Sequence, residues 1–361
     1  MHTTTVGLEL RPMPVPTTLD AEDAADFVDM VRVRNLVYRE ISGHSDFDIT
    51  PGELLPALQP TPYTDRMFWN VLVDGELVGR AGLDLPLEDG SRVGFWRVEL
   101  RRDAWGRGVG TAAYELIERV ARERGRSVLQ TSVDHPQSDG PRLDAPTGFG
   151  SIPADRAARF LRDRGYALEQ VVRMSALTLD DDTFARVAEH LAAARAASTD
   201  YRLVSWDAPT PAEFVAGYGT VKAAMSTDAP AAGIEYDAEQ WDADRVAAHD
   251  RRYVDAGRRL HVTAAQHIAT GELVAFTELV IGHDLAATTH QEDTLVARAH
   301  RGHRLGMLVK AAALLAWRDI APDSRRVITF NAEENRPMLD INEALGFTPV
   351  SYEGEWKKEL S

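Results

Sequence analysis

The chain has 361 residues, 44% hydrophobic and 27% charged. That is the balance of a soluble globular protein with about two domains, at roughly 100–200 residues each. Its net charge of −16 argues against nucleic acid and anionic membrane as partners and suits a cationic small molecule. Cysteine is absent, which excludes disulfides, thiolate metal ligands and cysteine nucleophiles together. No apolar stretch approaches the ~18 residues of a membrane span, and residues 1–5 lack a secretory pattern, so the expectation is a cytoplasmic protein. No metal site is expected, and the oligomeric state is not legible.

Taken in order, residues 6–10 read as a strand and residues 20–37 carry helical apolar spacing. Residues 70–73 and 76–83 flank Asp74-Gly75, a two-residue hairpin signal. Residues 93–100 form a strand that runs into a Gly-rich turn, and the helix after it carries Val109, Ala113, Leu116, Ile117 and Val120. A strand at 127–133, a helix at 154–164 and a closing strand at 168–177 follow. Residues 180–197 read as a solvated connecting helix. Next come a strand at 202–206, helices within 211–225 and 238–255, and strands at 260–267, 273–281 and 286–296. A helix from about 303 to 319, a strand at 327–330, a helix at 335–345 and closing strands to 360 complete the chain.

The second series repeats the first. Gly75-Glu76-Leu77-Val78 returns as Gly271-Glu272-Leu273-Val274, 196 positions later. Trp105-Gly106-Arg107-Gly108-Val109-Gly110 returns as Arg301-Gly302-His303-Arg304-Leu305-Gly306 at the same spacing. Gly165-Tyr166 returns as Gly346-Phe347 at a shorter spacing, which puts a longer loop, about 134–153, in the first half. A meander of strands, then strand–turn–helix, then strand and helix gives an α+β class. The expected division is a domain at 1–178, a connector at 179–199 and a domain at 200–361.

A strand entering a Gly-rich turn and then a helix aims several backbone N–H groups, with the helix dipole, at one anion. Gly110 is followed by Thr111 with no lysine, so this is not a Walker loop. The turn follows four antiparallel strands, so it is not a dinucleotide fingerprint. The combination resembles the GNAT superfamily of acyl-CoA-dependent N-acyltransferases, twice over nearly the whole chain. The tandem arrangement resembles that of mycothiol synthases and other actinobacterial N-acyltransferases. Each copy departs once from the loop pattern: Trp105 stands for a basic residue, and Arg304 for a glycine.

The resemblance implies two GNAT-like domains, each a mixed, mostly antiparallel sheet flanked by helices, and acetyl-CoA as cosubstrate. It places the cosubstrate on Leu295, Val296, Arg301, Gly302, His303, Arg304, Leu305, Gly306, Met307 and Asn335. In the first copy it places it on Leu100, Arg107, Gly108, Val109, Gly110 and Thr111. The implied activity is acetyl (acyl) transfer from acetyl-CoA to the amine of a small molecule. The alternative is a non-catalytic acyl-CoA-binding sensor or interaction protein on a degenerate fold.

Transfer to an amine needs a proton acceptor near the thioester. On the strand before the second loop, alternation puts His290, Glu292 and Thr294 on one face, and Gln291, Asp293 and Leu295 on the other. Glu292 and His290 stand where the family's bases commonly lie, with Asp293 as a further candidate, and the first copy has Trp96 and Gly94 at the matching positions. The second copy is therefore expected to be catalytic, with Asp134 and His135 the fallback in the first. The tyrosine acid that the resemblance implies is absent; Asn342 and Leu161 occupy its place, and Tyr352 or the Ser361 carboxylate are the other candidates to approach the site.

Overall fold

The structure, a computed structural model, describes residues 7–136 and 138–360. In chain order the elements begin β1 (Leu8–Pro12), α1 (Ala24–Ser42), α2 (Pro51–Leu58), β2 (Thr64–Val73), β3 (Glu76–Pro86), β4 (Val93–Leu100) and α3 (Val109–Glu123). They continue with β5 (Val128–His135), β6 (Arg142–Asp144), β7 (Ser151–Pro153), α4 (Arg156–Arg162), β8 (Ala167–Thr178) and α5 (Asp181–Ala197). The rest are β9 (Tyr201–Asp207), α6 (Ala212–Ala223), α7 (Met225–Asp228), α8 (Ala243–Val254), β10 (Arg259–His267), β11 (Leu273–Ile281) and β12 (Thr289–Val296). Last come α9 (Leu305–Ile320), β13 (Arg326–Ala332), α10 (Arg336–Leu345) and β14 (Thr348–Glu359). Val6, at the start of the first expected strand, lies outside the described residues.

The chain divides into two compact units. The first comprises residues 1–171, 232–237 and 351–361, and the second comprises 172–231 and 238–350. This differs from two sequential domains, because the units take their closing strands from opposite halves of the chain. In the first unit β14 pairs antiparallel with β5, from Tyr352↔His135 to Glu359↔Val128. In the second, β8 pairs antiparallel with β13, from Arg326↔Thr178 to Ala332↔Val172.

Each unit has the same sheet plan. The first runs β1-β2-β3-β4-β5-β14 and the second β8-β13-β12-β11-β10-β9. One pair in each is parallel, β4 with β5 and β12 with β13. Both pairs are short: β4 meets β5 only over Val93–Phe95, and β12 meets β13 only over residues 289–291. Beyond those residues the strands part, so each unit carries a wedge-shaped gap that opens toward its Gly-rich turn. Unpaired backbone N–H and C=O groups on such an edge call for a partner.

Apolar side chains pack on both faces of each sheet. In the first unit Leu83, Ile117, Leu129 and Trp356 are fully buried on the α3 side, and Phe27, Met30 and Phe68 under α1 and α2. In the second, Leu314, Trp317 and Val327 are buried on the α9 side, and Trp206, Tyr218 and Phe276 on the side of α6 and α8. Helix α2 lies in the connection between α1 and β2. Thr50 and Glu53 form a reciprocal capping box there that fixes its start.

Candidate functional site

The two Gly-rich turns share one construction. Each strand leads through a single 3₁₀ turn, Arg102–Ala104 or Arg298–His300, into the loop. Gly106 and Gly302 take φ of 77° and 88°. The residue before each helix is left-handed, Gly108 at 81° and Arg304 at 57°. Arg304 thus adopts the conformation that glycine adopts freely, at a strain of about 1–2 kcal/mol. Trp105, the other departure, keeps the hydrogen bond of its counterpart. Its indole Nε1 donates to the Leu100 carbonyl at 2.9 Å, and the Arg301 Nε donates to the Val296 carbonyl at 3.1 Å. The first-turn amides of α3 and α9 have no intrahelical acceptor, so both loops offer an anion-binding mouth.

The last loop glycine of each turn faces the protein interior. A Cβ on Gly306 would lie 2.8 Å from Ile341 Cδ1 and 3.7 Å from Val296 Cγ2, and one on Gly110 3.6 Å from Leu100 Cδ1. The missing side chain points into the protein and makes room for packing there. Gly302, with nothing within 4 Å of such a Cβ, is the glycine that faces open space. Of the other expected cofactor residues, Val109 and Leu305 are buried beneath the loops, and Met307 packs on the α9 core. Thr111 accepts a hydrogen bond from Arg164 at 2.7 Å, and the His303 ring lies 5.6 Å from that of Tyr201. Arg107 is exposed, 3.6 Å from Asp74, and Asn335 stands at the N-terminus of α10. Arg301 also approaches Asp228 at 3.4 Å.

Strand β12 carries a bulge that sequence alternation could not show. Thr277 pairs with Thr294 but Leu279 pairs with Gln291, so Glu292 and Asp293 together oppose Glu278. The extra residue turns both carboxyls to the same face. Asp293 reaches Lys222 of α6 at 2.6 Å, and the field of Glu292 acts on Arg252 and Tyr253 of α8. His290 precedes the bulge and shares that face by alternation. Thr294 is sent to the opposite face, where it meets Thr277 Oγ1 at 2.7 Å together with Gln291 Nε2 at 2.8 Å. The expected grouping of Thr294 with Glu292, and of Asp293 with Gln291, is therefore corrected.

The matching of the copies shifts with it. Thr131 Oγ1 donates to the Trp96 carbonyl at 2.8 Å, and Thr329 Oγ1 reaches the Gln291 carbonyl at 3.4 Å. Gln291 is thus the counterpart of Trp96, and Glu292 is the inserted residue. Strand β4 keeps unbroken register from Gly79↔Leu100 to Asp84↔Phe95.

Two adjacent carboxyls now have different characters. Crowding by protein, with the Asp293 charge beside it, holds the Glu292 carboxyl above the ordinary glutamate range although its side chain reaches solvent. Burial also works against charge on Asp293, but Lys222 outweighs it and keeps that carboxyl below its usual range. Lys222 is itself buried and completes a chain through Glu278, at 3.1 Å, to the Tyr218 hydroxyl. None of these three was singled out from sequence, because the register that joins α6 to β11 is not local.

In the first unit, Asp134 faces Glu353 across β5 and β14. Burial raises both carboxyls, the Asp134 charge pushes Glu353 further, and Ser132 donates to Glu353 at 3.1 Å. Burial pushes the neighbouring Glu355 up to about 7. His135 is fully buried on the other face, its Nδ1 3.0 Å from Asp155. Glu99 is locked to Arg80 by two contacts of 2.6 and 3.0 Å, which outweigh its burial and hold it near 2. Tyr352 lies beside His135, and Ser361 falls outside the described residues. Among the described residues no group of His, Asp or Glu could hold a metal ion, and no helix is long and apolar enough to cross a membrane.

Residues 35–140 match the acetyltransferase (GNAT) family. A tandem GNAT protein from the clavulanic acid biosynthesis pathway is similar over 98% of both chains, at 24% identity and a TM-score of 0.73. A GCN5-related N-acetyltransferase from Sphaerobacter thermophilus is similar over 98% of this chain and 96% of its own, at 14% identity and a TM-score of 0.60. A putative acetyltransferase from Pyrococcus horikoshii covers 99% and 90%, at 12% and 0.52. No curated protein matches the sequence. The chain has the tandem GNAT fold, α+β with one copy in each unit, and the family match together with that fold supports acyl transfer.

Proposed function

We propose that the protein transfers an acyl group, acetyl in the simplest case, from acyl-CoA to the amine of a small molecule by direct attack, in the second unit. The observation that carries this reading is the β12 bulge. It sets Glu292, a carboxyl with raised proton affinity, just past the apex of the gap that opens toward the loop of residues 301–306. CoA pyrophosphate on the N-terminal amides of α9 would send the pantetheine arm along the free edge of β12, past Val296 and Leu295. The thioester then arrives near the bulge, where Glu292 takes the proton of the attacking amine. His290 on the same face and Asp293, fixed by Lys222, frame the acceptor.

A second reading puts the transfer in the first unit, where the raised Asp134–Glu353 pair is a proton acceptor and Glu355 adds negative charge suited to a cationic amine. CoA release from acetyl-CoA is the test, measured against a panel of small amines with Glu292→Gln and Asp134→Asn. Loss in the first variant alone supports the second unit, and loss in the second variant alone the first. A protein that binds acetyl-CoA but shows no amine-dependent release is a sensor.

A further inference from the structure

Lys310 lies in the middle of α9 with 1% of its surface exposed. Its ammonium has no hydrogen-bond or ion-pair partner among the described residues, and it lies over the Phe347 ring at 5.7 Å from the centroid. Packing does not require a lysine there, since leucine or methionine would fill the site without placing an unpaired charge in an apolar core, an arrangement that opposes folding. Gln291 Oε1 and Asn342 Oδ1, in the same unit, are among the buried polar atoms without a hydrogen-bond partner.

The first unit shows how these positions meet. Lys310 matches Tyr114 at the spacing of the loop repeat, Phe347 matches Tyr166, and Gln291 matches Trp96. The Trp96 ring lies 5.1 Å from Tyr114 and 5.8 Å from Tyr166, and Tyr114 lies 6.0 Å from Tyr166. The three positions are mutual neighbours in the first unit, where they hold aromatic rings; the matching positions of the second unit hold Gln291, Lys310 and Phe347, of which Lys310 lies over the Phe347 ring. Gln291 is also the last residue of β12 paired with β13. Lys310 therefore sits under the apex of the gap, on the face opposite Glu292. From Val296 to Gln291 is five residues of strand, ~17 Å, about the reach of an extended pantetheine arm.

Resting on the proposed transfer in the second unit, we infer that Lys310 is the proton donor to the departing thiolate. The amine nitrogen forms a bond to the thioester carbon and gives its proton to Glu292. The carbon–sulfur bond then breaks with its electron pair on sulfur, and sulfur takes a proton from the Lys310 ammonium, leaving a neutral lysine. Burial alone pushes the ammonium down to about 7, with no charged group on α5, α10, β10, β11 or β12 contributing. An ammonium of that acidity gives its proton readily to a thiolate whose conjugate acid lies at ~8.5. Base and acid then stand on the two faces of one gap, so neither proton has to cross the other's path.

The test compares acetyl-CoA with its selenoester analogue, whose selenolate leaves without a proton, using hydroxylamine as a small uncharged nucleophile. With acetyl-CoA, Lys310→Met should lower turnover about 10²-fold, leave KM within about threefold, and abolish the fall in rate above neutral pH. With the selenoester the variant should stay within about threefold of the parent protein. Lys310→Gln should behave alike, which guards against a packing artefact. An equal loss with both donors, or no loss with either, overturns the assignment. A parent protein that turns over neither donor overturns the functional reading first and this inference with it.

Discussion

Asp293 accepts a hydrogen bond from the Lys222 ammonium at 2.6 Å, and this contact sorts two neighbouring carboxyls into different roles. Asp293 is held charged, and its charge adds to the crowding that keeps Glu292 protonating more readily. A base needs proton affinity close to the working pH, which Glu292 approaches and Asp293 moves away from. Glu292→Gln should lower amine-dependent CoA release by about 10²–10⁴-fold while the Kd for CoA stays unchanged. The residual rate should climb with pH as free amine becomes available. Wild-type turnover in this variant across pH 6–9 would remove Glu292 from the mechanism.

Trp105 gives a second prediction, because it holds its loop as Arg301 holds the other. Trp105→Phe keeps the ring and deletes the donor to the Leu100 carbonyl. A lost hydrogen bond of this kind costs about 1 kcal/mol, read as a fall of a few degrees in Tm. Trp105→Arg restores a donor of the kind that Arg301 supplies and should recover most of that loss. Equal Tm values for Phe and Arg at this position would show that the ring, not the hydrogen bond, anchors the turn.

The two last loop glycines should respond differently to alanine. At Gly306 the new methyl meets Ile341 at 2.8 Å and must displace it, whereas at Gly110 the nearest atom, at 3.6 Å, is in ordinary contact. Gly306→Ala should therefore lower Tm more than Gly110→Ala, since both gain the same helix propensity. Equal thermal shifts would count against packing as the reason for these glycines.

Much of the fold was legible because it is repeated. The echo of Gly75 in Gly271 and of Gly110 in Gly306 fixes two copies before any element is known. Hydrophobic periodicity then gives β4 with α3 and β12 with α9. The exchange of closing strands was not legible: 168–177 and the closing stretch to 360 read as strands, but nothing local says which sheet each joins. The β12 bulge was hidden for a related reason. One inserted residue shows only as a change of register against β11, and with strict alternation Asp293 falls on the wrong face. Lys222 and Glu353 were invisible as site residues because α6 and β14 reach their sites through tertiary contacts. Lys310 is the one lysine of α9, amid otherwise apolar spacing, a signal present in the sequence and readable as a misplaced charge.

That buried lysine leads to a prediction about stability that needs no ligand. In the unfolded chain Lys310 binds its proton up to about its ordinary value of 10.5, and in the native protein only below about 7. Between these values the unfolded state holds more protons, so the Lys310 contribution makes stability rise with pH across that window. Below pH 7 both states are charged and the full cost of burying the ammonium stands, several kcal/mol for a proton affinity lowered this far. Above 10.5 both are neutral and the cost is gone. Lys310→Met carries no such cost at any pH, so its advantage should be greatest near pH 6 and shrink steadily toward pH 10. Urea midpoints of the two proteins at pH 6, 8 and 10 measure this directly. An advantage that stays constant over the series would mean that the methionine gains only by packing, and that the ammonium of Lys310 is not held in an apolar site.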